Sequence, residues 1–263
     1  MPYRVDLSRP PLDAADTLIE LGALDVELGP GGLSALMPDA VAAAEVATAL
    51  GVARVRMTPA RGRDDGSVWT LTPRAVHVGG LTILPVTAPQ TEGAIRLVDG
   101  TAFGTGLHPT TALCLEWIES LIGDAPLPSM LDVGTGSGIL ALAALLFGVP
   151  HVTGVEIDEP ALRVAGENAR LNGVADRLTL LKGGPEVVDG VWPLVVANIR
   201  AAELIELAPW LARRTASRGR LLLSGIPRAV AGEVEAAYVR TGMVPVGASE
   251  RGGWTALVVQ PSW

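Results

Sequence analysis

Cysteine is nearly missing from this chain: Cys114 is the only one in 263 residues. That excludes an internal disulfide and a zinc site built from thiolates. Lysine is just as scarce. Of 20 basic residues, Lys182 is the sole lysine and the rest are arginines, a bias that, beside so much Ala, Gly and Pro, reads as GC-rich coding rather than function. Long apolar runs are absent too. The longest, Ile139–Val149, is about half of the roughly 20 residues a membrane helix requires. The amino terminus, MPYRVDLSRP, has no apolar core of a secretory signal, so a soluble cytoplasmic protein is expected. No HExxH, no CxxC and no carboxylate cluster argues for a metal. Basic charge is in deficit: 28 acidic groups against 20 basic ones leave a net of −8. Such a field disfavours DNA and favours a cationic partner.

What is present is core-forming material. Hydrophobic residues make up 49% and charged residues 18%, which excludes disorder. No internal repeat is visible. Residues 1–60 read as β-α-β-β-α-β. Strands are expected at Tyr3–Leu7, Leu24–Leu28, Leu33–Met37 and Val52–Met57, and helices at Leu12–Leu21 and at Ala40–Leu50, the latter capped by Asp39. That order predicts a small α+β, ferredoxin-like domain. A charged loop, RGRDDG at 61–66, opens a linker placed at 61–95, with strand-like stretches at Val68–Thr72 and Val76–Pro85. A second domain, 96–263, follows. From Pro128 onward apolar strands alternate with helices near 138–147, 159–172, 201–214 and 228–241, the pattern of a parallel sheet with helices on both faces. Val244–Ser249 and Trp254–Val259 flank Arg251-Gly252-Gly253 and predict a hairpin that adds an antiparallel strand.

The chemistry is expected where the first of these strands runs into Asp132-Val133-Gly134-Thr135-Gly136-Ser137-Gly138 and a helix opens at once. Small residues let a ligand approach the backbone, and a helix amino terminus offers free N–H groups. Glu156 ends the next strand, 22 residues beyond Gly134, where a carboxylate can accept both hydroxyls of an adenosine ribose. A dinucleotide fingerprint would read G-x-G-x-x-G, and this loop does not. G-x-G-x-G preceded by Asp132, with the terminal hairpin, is similar to the first motif of class I S-adenosylmethionine-dependent methyltransferases, whose Rossmann-like sheet carries such a hairpin strand. An NAD-dependent oxidoreductase, or a module that binds a nucleotide without chemistry, stands as the alternative.

Upstream lies Asp99-Gly100-Thr101-Ala102-Phe103-Gly104-Thr105-Gly106-Leu107-His108-Pro109-Thr110-Thr111, rich in hydrogen-bonding groups and ending at a helix start. AFGTGLHPTT, then LDVGTGSGILALAA, GVEID, ENARLNG and VANI, densely over about 95–225, resemble the PrmA family, lysine methyltransferases of the large-subunit stalk ribosomal protein number eleven. The resemblance implies methyl transfer from S-adenosyl-L-methionine to lysine side chains and the amino-terminal amine of that protein, by a monomeric enzyme whose first domain recognises the substrate. It implies cofactor contacts at Thr111, Asp132, Gly134, Thr135, Gly136, Glu156, Ile157 and Asn198, with Phe103, Gly104, Thr105 and His108 in a loop over cofactor and substrate. Three departures stand out. Glu156 replaces the family's Asp, Arg200 replaces an apolar residue, and the inter-domain segment is short, with Trp69 alone where several tryptophans are usual. The last leaves open another protein lysine or a small amine as acceptor.

Asn198, at a strand end, is the candidate to orient the acceptor amine, the alternative being a cap for the helix at 201. His108 is the second candidate catalytic residue, able to stack, to hydrogen-bond substrate or to take up a proton. His77 and His151 have no partner at metal-ligand spacing, and Cys114 reads as core.

Overall fold

The computed structural model describes residues 2–29, 32–59, 75–86, 88–89, 91–98 and 108–263. The chain divides into two compact units, Met1–Arg74 and Ala75–Trp263.

The small unit runs β1 (Tyr3–Leu7), α1 (Ala14–Glu20), β2 (Asp25–Gly29), β3 (Gly32–Met37), α2 (Ala43–Ala49), β4 (Arg56–Pro59). Its sheet has the order β2-β3-β1-β4 with antiparallel pairs throughout. Strand alternation puts Tyr3 and Val5 on one face, and the β1–β3 register sets them opposite Met37 and Ala35. That face buries Leu18 of α1 and Val46 of α2 into a core of its own. The expected Asp39 cap is not there. Residue 39 lies in a turn, closed by the Val41 N–H on the Pro38 carbonyl, and α2 starts only after Ala42 with no side-chain cap.

The second unit starts with a sheet where a linker was expected. β5 (Val76–Val78) and β6 (Leu81–Pro85) pair antiparallel, and β7 (Ala94–Leu97) joins β6 in parallel. Val78, Leu81, Ile83, Ile95 and Leu97 are buried in the core of the large unit. β5 and β6 fall within the strand-like stretch expected at Val76–Pro85, whereas β7, four residues long, offers too little alternation to stand out in a sequence. The RGRDDG loop and the Val68–Thr72 strand fall outside the described residues.

The main sheet follows α3 (Pro109–Asp124). Its elements are β8 (Ser129–Val133), α4 (Ile139–Leu146), β9 (His151–Glu156), α5 (Glu159–Leu171), β10 (Leu178–Lys182), β11 (Trp192–Asn198), α6 (Ala201–Arg214), β12 (Thr215–Pro227), α7 (Ala231–Val239), β13 (Met243–Arg251) and β14 (Trp254–Pro261). The order is β10-β9-β8-β11-β12-β14-β13. The first five strands are parallel, and β14 runs antiparallel to both its neighbours. The hairpin turns on Gly252 and Gly253, both at positive φ, as a tight primed turn requires. Its second strand is inserted between β12 and β13 instead of being added outside them.

Both faces of this sheet are covered. Met130, Leu194, Val196 and Leu222 point to the core beneath α3 and α4. Leu131, Val195, Ala197, Leu221 and Leu223 point to the core beneath α6 and α7. Strands buried on both sides read as continuous apolar runs, which is why MLDV, LVVAN and LLLS were recognisable. The chain winds outward in opposite directions from β8 and β11, so a crevice opens at their carboxyl ends, where open α/β sheets bind ligands.

Candidate functional site

The crevice is built from three strand ends. At the first, β8 delivers the glycine loop. The Gly134 and Thr135 N–H groups donate to the Val155 carbonyl of β9, and Gly138 donates to the Thr135 carbonyl. Gly134, Gly136 and Gly138 take φ of 72, 54 and 81°, a region open to glycine and strained for other residues. A side chain at 134 would also collide with Ile199.

Asp132 lies beneath the loop, fully buried. Its Oδ2 accepts the Thr135 hydroxyl at 2.6 Å, while Oδ1 has no hydrogen-bond partner. Burial pushes this carboxyl up to about 7; the Thr135 hydroxyl and, weakly, the Ala141 N–H of α4 pull it down, and the charge of Glu156 adds to the rise. Thr111, on the first turn of α3, is also fully buried with its hydroxyl oxygen unpartnered.

The second strand end is β9. Glu156 is held at both oxygens, accepting from the Gly136 N–H at one and the Asp158 N–H at the other, each 3.0 Å. Both oxygens keep a second lone pair for a ligand. Ile157 follows, 74% exposed on the rim.

The third is β11. Asn198 lines the cavity and makes no side-chain hydrogen bond among the described residues. The cap of α6 is Arg200, by backbone alone, so the capping role does not hold. Ile199 is wedged between two glycines. Its side chain abuts Gly134, and its carbonyl sits where a Cβ on Gly225 would be. Gly225 has φ 84° and falls in an irregularity of the β12–β14 ladder between Leu223 and Ile226, a strand distortion of the kind found beside active sites.

These ends, with α3, α6 and the hairpin, enclose a cavity of about 630 Å³. His108, Gly134, Gly136, Glu156, Ile157 and Asn198 all line it, while Thr111, Asp132 and Thr135 are buried in the elements that form its floor. Phe103, Gly104 and Thr105 fall outside the described residues. Gly183, Gly184, Pro185, Arg200, Glu203, Glu206, Gly225, Pro227 and Trp254 line the cavity as well, and sequence reasoning did not name any of these as site residues except Arg200. The Gly-Gly-Pro run after an apolar strand is a signal that was available. Trp254 had none, since only the insertion of β14 brings it there.

His108 has a structural task. It is the N-cap of α3, its Nδ1 accepting from the Thr110 N–H, and its ring meets Trp254 edge-on at 5.0 Å. Burial lowers its pKa. Burial thus favours the neutral ring, and Nδ1 also meets the Thr110 hydroxyl at 2.8 Å. Cys114 is buried, and burial drives its thiol up to about 12, so it is inert. His77 and His151 hydrogen-bond Thr82 and Thr179 at the surface. Among the described residues no group of three His, Cys, Asp or Glu is placed to hold a metal, and no helix is long and apolar enough to cross a membrane.

Six strands of one direction with an antiparallel strand inserted between the fifth and the sixth, a glycine loop after β8 and a carboxylate after β9 define the fold of the class I methyltransferases. The comparison with known proteins agrees. Residues 65–262 match the ribosomal protein L11 methyltransferase (PrmA) family, and this chain belongs to that family. A ribosomal protein L11 methyltransferase of Chromohalobacter salexigens is 48% identical over 172 residues, 65% of this chain and 56% of the relative. One of Symbiobacterium thermophilum is 41% identical over 202 residues, 74% of this chain and 65% of the relative. The chain thus spans less than two thirds of either relative's length. A crystal structure of ribosomal protein L11 methylase from Lactobacillus delbrueckii subsp. bulgaricus superposes with a TM-score of 0.65 at 33% identity, over 71% of this chain and 98% of that one.

Proposed function

We propose that this chain transfers methyl groups from S-adenosylmethionine to amino groups of ribosomal protein L11, on lysine side chains and the amino-terminal amine. The reading includes a cytoplasmic monomer whose small, ferredoxin-like unit recognises the protein substrate. The observation that carries it is the convergence of the glycine loop, Glu156 and Asn198 on one cavity, in a chain of the L11 methyltransferase family.

The residues present fit the methyl donor. Asp132 Oδ1 is a buried acceptor with no partner, suited to the ammonium of an amino acid moiety. Glu156 presents free lone pairs to ribose hydroxyls, and Ile157 offers an apolar surface on the rim for an adenine. When bound, the sulfonium supplies a methyl carbon already activated for displacement. The protein's task is to align an amine lone pair with that carbon and to exclude water.

A lysine amine is a nucleophile only when neutral, and its free pKa is about 10.4. Ile199, Leu207, Pro227 and Trp254 make the acceptor side of the cavity apolar, which disfavours the charged form. Asn198, with no partner of its own, is placed to accept the amine N–H through its amide oxygen and so orient the lone pair. His108 is not the base in this reading, because its Nδ1 is engaged by the Thr110 N–H and hydroxyl at the start of α3. The amine's proton leaves to water through the mouth, past Glu203 and Glu206. Asp132, Glu156 and the glycine loop would hold the donor, which would supply the methyl group displaced from sulfur by the oriented amine nitrogen.

The test is transfer of labelled methyl from S-adenosylmethionine into ribosomal protein from a strain lacking its own enzyme of this family, read by mass. One small protein gaining methylene increments, identified as L11, is the expected result. Binding of the cofactor with label on no ribosomal protein would refute the substrate and move it to another lysine protein or a small amine.

A further inference from the structure

The run Glu167-Asn168-Ala169-Arg170-Leu171-Asn172-Gly173 lies away from the cavity, yet its two asparagines are among the most fully bonded side chains in the large unit. Asn168 lies on the last turn of α5 and Asn172 is its C-cap, four residues on, and both bond the chain at β7. Asn172 mimics a strand: its Oδ1 accepts the Arg96 N–H at 2.8 Å and its Nδ2 donates to the Arg96 carbonyl at 2.7 Å. It also donates to the Asn168 carbonyl. Asn168, fully buried, does something different. Its Oδ1 accepts the Val98 N–H at the end of β7, and its Nδ2 donates to the Ser137 carbonyl in the glycine loop, both at 2.8 Å.

We infer that Asn168 is a positioning residue for the methyl-donor site, a single amide that sets the glycine loop at a fixed distance from the end of β7. This rests on the methyl-donor reading above. The peptide it holds lies between the Gly136 N–H, bonded to Glu156, and the first turn of α4. The next residue, Gly138, is packed so closely on Ala165 of the same helix face that a Cβ there would lie 3.2 Å from the Ala165 methyl. A shift of the Ser137 carbonyl therefore moves the backbone that shapes the cavity floor. The task needs one acceptor and one donor on a side chain of this length. Aspartate supplies both only when protonated, and alanine supplies neither.

Asn172 is the internal control, having the same helix face and the same strand but no bond to the glycine loop. The experiment measures S-adenosylhomocysteine affinity by titration calorimetry on the full chain, with thermal stability recorded alongside. Asn168→Ala and Asn172→Ala should both lose stability, but only Asn168→Ala should lose affinity, by roughly tenfold, the loss expected of one mispositioned hydrogen-bonding element. Should Asn168→Ala fail to fold, Asn168→Asp carries the test. Its affinity relative to wild type should recover as pH falls from about 8 to about 5.5 and the carboxyl regains the donor that Ser137 needs. Equal affinity losses in the two alanine variants, or an Asp variant whose ratio to wild type ignores pH, would reduce Asn168 to a structural residue and overturn the inference. A wild-type chain that binds no S-adenosylhomocysteine would refute the methyl-donor reading itself, and this inference with it.

Discussion

Asp132→Asn should reveal a stability cost built into the cofactor site. The carboxyl is fully buried, has one hydroxyl partner and one bare oxygen, and is raised from 3.8 to about 7. Between about pH 4 and pH 7 the folded chain therefore holds a proton that the unfolded chain gives up. The group's contribution is full below about pH 4 and is lost as pH rises through 7, at about 1.4 kcal/mol per pH unit, a total near 4 kcal/mol. Asparagine does not titrate. Its amide brings unsatisfied N–H groups that cost about 1–3 kcal/mol, but that cost is the same at every pH. Stability of the variant relative to wild type should thus climb by about 2–3 kcal/mol between pH 5 and 7 and then level off. For a protein of this size that is a relative shift in melting temperature of roughly 5–10 °C. The assay is denaturant unfolding followed by tryptophan fluorescence, both chains side by side from pH 5 to 8.5. Other titrating groups are common to both chains and cancel in the difference. A difference that does not change with pH would refute the argument, because Asp132 would then titrate as an exposed carboxylate. On the proposed reading of Asp132 as a partner for the donor's ammonium, the same variant should bind S-adenosylmethionine more weakly at pH 8.

Three further outcomes follow from the site. Asn198→Ala should cut turnover by roughly tenfold or more, as loss of an orienting hydrogen bond does, while cofactor affinity by calorimetry changes little; equal losses in both would make Asn198 a cofactor contact only. Gly225→Ala adds a methyl group against the Ile199 carbonyl at a φ of 84°, and should cost about 1–3 kcal/mol in denaturant unfolding together with turnover, since it displaces Asn198's neighbour; wild-type stability would show that the loop relaxes freely. His108 has its pKa lowered by burial, so the unfolded chain takes up a proton first, and stability present above about pH 6.5 is lost as pH falls below it. His108→Asn keeps an N-cap acceptor and should remove that acid-side loss, seen as a flatter melting profile from pH 7 to 5 than wild type.

The parts of this protein that were legible in its sequence are those in which one local rule decides the outcome. MLDV running into GTGSG, and VTGVE ending in a carboxylate, are strands buried on both faces, so their apolar runs show through, and the glycines mark a turn that few other residues can make. Residues 201–214 were bounded correctly as a helix because amphipathic periodicity is local. The rest depends on what the chain meets elsewhere. Asp39 is a good cap by type, yet Pro38 and Val41 close a turn that uses up that position. β7 is too short to announce itself and is held by a core that α4 and α5 share with it and by two asparagine amides. The acceptor wall shows this dependence most fully. Trp254 reaches the cavity only because β14 is threaded between β12 and β13, and once there it takes the edge of His108 and pins that ring as a cap. The histidine that is a candidate acid–base group in the sequence also holds the start of α3. In the proposed reading the apolar wall and Asn198 keep the acceptor amine deprotonated and aligned, and desolvation does the work of a base. The pH–rate profile should then be governed by the acceptor amine, rising toward alkaline pH with no histidine limb; a limb near 6.5 that disappears in His108→Asn would overturn this reading.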